Sequence, residues 1–239
     1  MTGLPKDRII VALDLPSRKE ALELVETLGD VSFFKVGAQL FSEAGPNLLD
    51  ELRKKDKRVF LDLKFHDIPN TVAGAVRAAT RRGVQMLTVH AAGGEAMLRA
   101  AREAAGPEGP AVVAVTLLTS LVSEDVEQIF GRSPLSLVDE VVRLAGLAVA
   151  AELPGVVASP TEVKPIKRSY GDVLKVVTPG IRLPGDDPAD QSRYATPADA
   201  ARAGADFIVV GRSITAAKDP AAAFEAVVQS FATGQDAKA

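Results

Sequence analysis

The chain has 239 residues, of which 47% are apolar and 25% are charged, and this composition is typical of a folded globular protein. Its formal net charge of -3 excludes a global attraction to nucleic acid or to an anionic membrane, so any anionic ligand needs a local basic site. Cysteine is absent and only His66 and His90 are available, which excludes disulfides, thiolate chemistry and a histidine-rich metal site.

The first half of the chain alternates short apolar runs with amphipathic segments. Residues 8–13 form a β-branched apolar run that predicts a strand buried on both faces. Ser17, followed three positions later by Glu20, is a capping-box pattern and predicts a helix that ends at Gly29. The alternation then predicts strands at 31–36, 59–64 and 85–89, and helices at 39–54, 70–82 and 94–105.

The second half continues the same alternation. It predicts strands at 111–118, 156–158, 174–177 and 205–210. It predicts a short helix at 123–130, a second helix that starts at Ser133 and Pro134 and runs to about residue 150, and a basic helical segment before residue 174. A last helix is predicted at 220–231, and residues 232–239 are expected to form a frayed tail.

Eight short apolar strands separated by helix-sized connections predict an α/β fold, a single (β/α)8 TIM barrel over residues 1–239. No second composition regime marks a domain boundary. An open doubly wound sheet is the alternative. The first strand-helix turn, Asp14-Leu-Pro-Ser, disfavours it because it lacks the glycine-rich dinucleotide pattern.

The end of the third predicted strand carries an unusual density of charge. Strand alternation places Asp62 and Lys64 on one face, and Asp67 follows just before the turn that Pro69 imposes. These charges are costly to desolvate and a strand end does not need them for folding, which favours binding or catalysis. The competing interpretation is a solvated strand end with incidental ion pairs.

Polar residues also follow several other predicted strands. Active-site residues of a (β/α)8 barrel gather at the carboxyl ends of its strands, so these side chains are expected to meet there. Asp14 and Thr119 could instead cap the helices that follow them. The residues at predicted strand ends are Asp14, Lys35, Asp62, Lys64, Thr119 and Arg212.

Two further features indicate a phosphate site. Gly211 and Arg212 follow the last strand and open a helix, which combines backbone N–H groups with a guanidinium. Residues 178–197 are rich in Pro, Gly and Asp without periodicity, which is typical of a long loop that closes over a ligand. This loop carries Arg182 and Gln191, although an arginine in such a loop could be merely solvated.

Motifs along nearly the whole chain resemble the orotidine 5'-phosphate decarboxylase family. The most specific is the ten-residue segment Asp62-Leu-Lys-Phe-His-Asp-Ile-Pro-Asn-Thr71, whereas Gly-Arg-Ser alone would be weak. The others are Val11-Ala-Leu-Asp14, Phe34-Lys35-Val-Gly, Leu118-Thr-Ser120, Thr178-Pro-Gly-Ile-Arg182, Gln191 and Val210-Gly-Arg-Ser213.

The resemblance implies a cofactor-free, metal-free homodimer that makes UMP, with a role for each matching residue. It implies a charged tetrad of Lys35, Asp62, Lys64 and Asp67, in which Lys64 donates a proton to C6 of the pyrimidine. It implies ribose contacts from Asp14, Lys35 and Thr71, pyrimidine contacts from Ser120, phosphate contacts from Arg182, Gly211 and Arg212, and a bridge from phosphate to base by Gln191. Asp62, Thr119 and Pro179 are further expected substrate contacts, and Asp67, Ile68 and Thr71 are expected to reach a neighbouring subunit. His66 and His90 receive no role and are expected to be structural.

The chemistry of these residue types agrees with decarboxylation. Loss of CO2 leaves a carbanion, and an ammonium held between carboxylates can stabilise it. The same carboxylates keep Lys64 charged, which argues against a Schiff-base aldolase, because that chemistry needs a neutral amine. Two alternatives stay open: a Mg2+-dependent hexulose-phosphate synthase or keto-gulonate-phosphate decarboxylase, which would be sensitive to EDTA, and a catalytically silent nucleotide-binding barrel.

The sequence predicts a cytoplasmic protein. The first residues lack the apolar core of a signal peptide. The richest apolar stretch, residues 144–151, is soon interrupted by Glu152 and Pro154, so no run approaches the length of a membrane span.

Overall fold

Eight parallel strands form the centre of the molecule. The structure is a computed structural model that describes residues 4–131, 136–186 and 194–237. Within these ranges the strands are β1 Ile9–Ala12, β2 Phe33–Gly37, β3 Arg58–Phe65, β4 Met86–His90, β5 Ala111–Val115, β6 Gly155–Val157, β7 Lys175–Thr178 and β8 Phe207–Val210. Each strand pairs with the next, and β8 pairs with β1. The predicted (β/α)8 barrel is therefore confirmed, and the open sheet is wrong.

Helices connect the strands and cover the barrel. Over the described ranges they are α1 Arg18–Thr27, α2 Ala38–Ala44, α3 Asn47–Lys54, α4 Pro69–Arg81, α5 Gly94–Ala105, α6 Ser123–Phe130, α7 Leu137–Ala150, α8 Val163–Tyr170, α9 Pro197–Ala203, α10 Arg212–Thr215 and α11 Pro220–Asp236. Among these described helices, none combines the length and the apolar character that a bilayer span requires.

The first helix begins where the sequence predicts. Ser17 Oγ accepts a hydrogen bond from the Glu20 N–H at 3.2 Å, which satisfies one of the backbone donors that α1 leaves unpaired. The Glu20 carboxylate accepts from the Ser17 hydroxyl at 2.9 Å. A cap of this kind stabilises a helix by about 1 kcal/mol.

The predicted helix at 39–54 is wrong as a single element, because α2 and α3 replace it. Gly45 separates them with a φ of 67°, a conformation that glycine adopts without steric cost. Pro46 follows and has no backbone N–H to continue the hydrogen bonds of α2.

Other boundaries also differ from the sequence prediction. The frayed tail from residue 232 is wrong up to Asp236, because α11 continues through it with Phe231 and Gly234 buried. The strand at 111–118 ends at Val115. The predicted helix start at Ser133 and Pro134 lies outside the described residues, and α7 begins after Ser136, whose Oγ accepts from the Asp139 N–H at 3.0 Å.

The apolar core has two layers, one inside the barrel and one between the strands and the helices. Neighbouring residues alternate between them, so that Phe33 faces the interior while Phe34 packs outward. Burying one large side chain such as Phe34 fully stabilises the fold by about 1.5–3 kcal/mol. The interior is filled by Ile10, Ala12, Phe33, Phe60, Met86, Val113, Val177 and Val209, so polar chemistry is left to the strand ends.

Candidate active site

Four charged side chains of alternating sign, Asp14, Lys35, Asp62 and Lys64, form a charged row at the carboxyl ends of β1, β2 and β3. Lys35 Nζ lies 2.7 Å from the Asp14 carboxylate and 3.6 Å from the Asp62 carboxylate. Lys64 Nζ lies 2.9 Å from each Asp62 carboxylate oxygen. Each cation has an anionic neighbour, which offsets much of the cost of taking these charges out of water.

An irregularity in β3 brings the last two members of the charged row together. The register pairs on either side of it leave β3 residues 62–64 opposite a single β4 residue, Thr88. Lys64 has a φ of 51°, a left-handed conformation that is uncommon for a residue with a Cβ. Asp62 and Lys64 do share one side, as predicted, but a bulge and not regular strand alternation puts them there.

Thr88 contacts both ends of this bulge. Its Oγ accepts a hydrogen bond from the Lys64 backbone N–H at 2.8 Å and donates one to Asp62 Oδ1 at 3.0 Å. Burial raises the pKa of Asp62, but the charges of Lys35 and Lys64 and the hydrogen bonds from Lys64 and Thr88 lower it more. The pKa of Asp62 therefore lies below its ordinary value, and the carboxylate is ionised at neutral pH.

The two histidines lie beside the charged row. His66 follows β3 and His90 ends β4, with their ring centroids 5.4 Å apart. Burial, His66 and Lys64 lower the pKa of His90, and Asp62 only partly opposes them. His90 is thus neutral at pH 7 and adds no charge to the row.

Asp67, the remaining member of the implied tetrad, is not part of the charged row of its own chain. Its Oδ1 accepts a hydrogen bond from the Ile68 N–H at 2.6 Å, and no ion pair joins it to Lys64 within the described part of the chain. Asp67 and Thr71 are exposed, and Ile68 is 67% exposed, which is high for a large apolar residue. Pro69 starts α4 here and fixes this turn.

A basic group, Arg182 and Arg212, follows β7 and β8. Arg182 is only 7% exposed and donates from Nη1 to the Ile181 carbonyl at 2.9 Å, so it is not a merely solvated loop arginine. Its backbone N–H donates to the Ala195 carbonyl at 3.0 Å, which ties together the two ends of the loop at 178–197. Gln191 lies outside the described residues of this loop.

A cavity of about 430 Å³ connects the charged row to the basic group. Its volume suits a small-molecule ligand. Within the described part of the chain, the wall of this cavity does not include Asp67, Ile68, Thr71 or Ser120. The predicted site residues that line it are Asp14, Lys35, Asp62, Lys64, Thr119, Pro179, Arg182, Gly211 and Arg212.

Sequence reasoning missed two kinds of residue at this site. Thr215 and an apolar set made of Phe60, Val115, Leu117, Leu118, Val157 and Val209 also line the cavity. Thr88 does not line the cavity but forms hydrogen bonds with Asp62 and Lys64 of the charged row. The sequence did contain a signal for Thr88, because its hydroxyl lies among the apolar residues Met86, Leu87 and Val89; the structure shows that Thr88 is 0% exposed.

Comparisons with known proteins agree on one family. The family model "Orotidine 5'-phosphate decarboxylase / HUMPS family" matches residues 7–227. The protein named orotidine 5'-phosphate decarboxylase from Moorella thermoacetica is 49% identical, over 93% of this chain and 91% of its own length. The protein of the same name from Gloeothece citriformis is 45% identical, over 95% of this chain and 98% of its own length. A crystal structure of the Lactobacillus acidophilus orotidine 5'-phosphate decarboxylase superposes with a TM-score of 0.82 at 40% identity, covering 93% of this chain and 98% of that one. The chain therefore belongs to the orotidine 5'-phosphate decarboxylase / HUMPS family.

Proposed function

We propose that this protein converts orotidine 5'-monophosphate to UMP and CO2 in de novo pyrimidine biosynthesis. One observation carries the proposal: the charged row and the basic group line the same cavity. Guanidinium groups suit a phosphate, and an ammonium held beside a carboxylate suits negative charge that develops on carbon. The activity named for the relatives, at 43–49% identity, supports the same reaction.

The arrangement of the cavity supports one orientation of the substrate. The chain carries a net charge of -3, so an anionic phosphate requires the basic group for binding. The phosphate binds Arg182, Gly211 and Arg212, and the ribose hydroxyls bind Asp14 and Lys35. Thr119 and Pro179 are further substrate contacts. Ser120, which is not part of the cavity wall here, contacts the pyrimidine in the substrate complex. Gln191 bridges the phosphate and the base as the loop closes.

The chemistry takes place at Lys64 and Asp62. The bond between C6 and the carboxylate carbon breaks, CO2 leaves, and the electron pair stays on C6. Lys64 Nζ, held 2.9 Å from Asp62, stabilises this carbanion and gives it a proton. The neutral amine that remains on Lys64 then takes a proton from water and becomes an ammonium again. Asp62, ionised and largely buried, keeps the ammonium in place throughout.

The active unit in this proposal is a homodimer in which each site takes residues from both chains. Asp67 makes no ion pair with its own Lys64 in the described chain and is exposed, as are Ile68 and Thr71. In a twofold dimer these residues reach the site of the second copy, where Asp67 completes the tetrad and Thr71 contacts the ribose. The exposed Ile68 then packs at the interface.

We infer a cytoplasmic location for this enzyme. A chain without cysteine fits a reducing compartment, and its substrate and product are soluble nucleotides. Expression with a fluorescent tag and fractionation of the cells would test the location directly.

A single assay tests the proposed reaction. Purified protein is mixed with orotidine 5'-monophosphate, and the loss of its ultraviolet absorbance is followed with and without EDTA. We expect turnover that EDTA does not change. Turnover of a hexulose phosphate that EDTA abolishes would favour the Mg2+-dependent branch of the family, whereas nucleotide binding without any turnover would favour a silent barrel.

A further inference from the structure

Thr88 of β4 lies alone opposite the three-residue bulge 62–64 of β3. A bulge interrupts the ladder of strand hydrogen bonds, so the backbone groups within it need other partners. The Lys64 N–H finds its partner in Thr88 Oγ at 2.8 Å. Because Thr88 is 0% exposed, solvent does not compete for this contact.

The two hydrogen bonds of the Thr88 hydroxyl have a defined direction. The Lys64 backbone N–H can only donate, so Thr88 Oγ accepts from it. The one hydroxyl proton is then directed to Asp62 Oδ1, 3.0 Å away, because an ionised carboxylate only accepts. Valine has the same shape but can form neither bond.

The two hydrogen bonds of Thr88 affect both the backbone and the side chain of Lys64. Its φ of 51° is unfavourable for a residue with a Cβ and persists only where the surroundings hold it. Its ammonium is oriented by Asp62, whose carboxylate is also bound by Thr88. One buried oxygen therefore ties the backbone of Lys64 to the carboxylate that orients its side chain.

We infer that Thr88 is a positioning residue, which places the Lys64 ammonium by holding the β3 bulge and the Asp62 carboxylate together. Thr88 is not among the described residues that line the cavity, so it acts through Asp62 and Lys64 and touches no substrate. The inference rests on the proposed decarboxylation. Because Lys64 acts on charge that develops in the transition state, loss of Thr88 affects turnover more than binding.

Three variants at one position test this role. In Thr88→Val and Thr88→Ala, kcat should fall by about 10- to 100-fold, while KM and the Kd of UMP change by less than about threefold. Thr88→Ser keeps the hydroxyl and should stay within about threefold of the wild-type kcat. Valine keeps the side-chain volume of threonine and alanine does not. A similar fall in kcat in both variants therefore shows that the loss comes from the hydroxyl and not from packing.

Thr116→Val is the matched control. Thr116 is also buried, at 2% exposed, and its Oγ donates to the Val157 carbonyl at 3.0 Å without contacting the charged row. The Thr116 N–H already donates to the same carbonyl, so the loss of its hydroxyl should leave kcat within about twofold of wild type.

The pH profile of kcat gives a readout that a purely structural role would not change. The hydrogen bond from Thr88 lowers the pKa of Asp62, so its removal raises that pKa. The acidic limb of the profile should therefore move to higher pH in Thr88→Val and Thr88→Ala, and return to its wild-type position in Thr88→Ser.

The outcomes separate this inference from the proposed function. A wild type that does not turn over orotidine 5'-monophosphate overturns both. An active wild type with a wild-type kcat in Thr88→Val, or with no rescue in Thr88→Ser, overturns only the role of Thr88. If neither Val nor Ala folds by circular dichroism, hydrogen exchange of the wild type decides, because a Lys64 amide bonded to buried Thr88 must be protected. A rapidly exchanging Lys64 amide overturns the inference.

Discussion

Lys64 Nζ lies 2.9 Å from both carboxylate oxygens of Asp62, so the aspartate holds the ammonium in a forked contact. The Asp62 side chain is 13% exposed and that of Lys64 is 37% exposed. The carboxylate is thus enclosed by protein while the ammonium faces the cavity. This is the arrangement that a proton donor requires, because its position is set by a buried partner and its charge remains accessible to a ligand.

Removal of the Lys64 ammonium tests the central step. In Lys64→Ala we expect kcat to fall by about 10³-fold or more, because the ammonium acts on charge that develops at C6. Binding of UMP, measured by calorimetry, should change little. Lys19→Ala is the control, since Lys19 is 83% exposed on α1 and lies outside the charged row. An unchanged kcat in Lys64→Ala contradicts the assignment.

Removal of the Arg212 guanidinium tests how phosphate binding is used. Arg212→Ala should raise KM and also lower kcat, because binding energy from the phosphate is used to close the loop at 178–197. Steady-state kinetics give both values, and Arg202→Ala is the control, because Arg202 is an exposed arginine on α9 that pairs with Asp199. Phosphite added to a nucleoside substrate without its phosphate should activate the wild type. Absence of that activation excludes the loop-closure account.

Mixed dimers test whether Asp67 serves a second copy of the chain. Lys64→Ala and Asp67→Ala should each be nearly inactive as homodimers. In a mixed dimer one site carries both changes and the other carries neither, so mixing the two inactive proteins should restore activity. The restored sites should have the wild-type KM, with only their number reduced.

Subunit exchange in that experiment needs its own proof. Differently tagged variants that co-purify after mixing would establish it, and a sample mixed without exchange is the control. If exchange is verified and no activity returns, Asp67 serves its own chain.

Asp206, which immediately precedes β8, is a half-buried anion with a side chain that is 15% exposed, and we expect it to contribute to stability. Its carboxylate lies 2.7 Å from Lys167 Nζ and 3.2 Å from Lys175 Nζ, and accepts from the Val176 N–H at 2.9 Å. Burial raises the pKa of Asp206, but the Lys167 and Val176 hydrogen bonds and both lysine charges lower it more. Asp206→Ala should therefore reduce the free energy of unfolding at pH 7 by about 2 kcal/mol.

The pH dependence of this loss follows from the lowered pKa. A carboxyl group whose pKa is depressed in the folded state contributes stability above its unfolded pKa of about 3.9 and loses it as pH falls through the folded pKa. The difference between wild type and Asp206→Ala in urea unfolding should thus be full at pH 7 and shrink below about pH 4. Asp172→Ala is the control, because Asp172 pairs with the same Lys167 at 3.6 Å but is 95% exposed. A difference that stays constant down to pH 3 contradicts the linkage.

The sequence by itself determined the architecture and the charged residues of the cavity wall. Apolar runs at near-regular spacing specify strands buried on both faces, and parallel strands of this kind close with helices outside. Since carboxyl ends of parallel strands share one edge, residues as far apart as Asp14, Lys35 and Arg212 could be assigned to one site before any distance was known. The start of α1 at Ser17 could also be predicted, because helix capping depends only on residues that are neighbours in the chain.

Only the tertiary structure decided how the charges meet. Periodicity describes a regular element, whereas the β3 bulge depends on pairing with β4 and on Thr88, 24 residues from Lys64 along the chain. The extension of α11 to Asp236 depends on burial of Phe231 and Gly234 against the rest of the fold. Contacts between segments distant in sequence decide each of these features, and a local pattern carries no record of them.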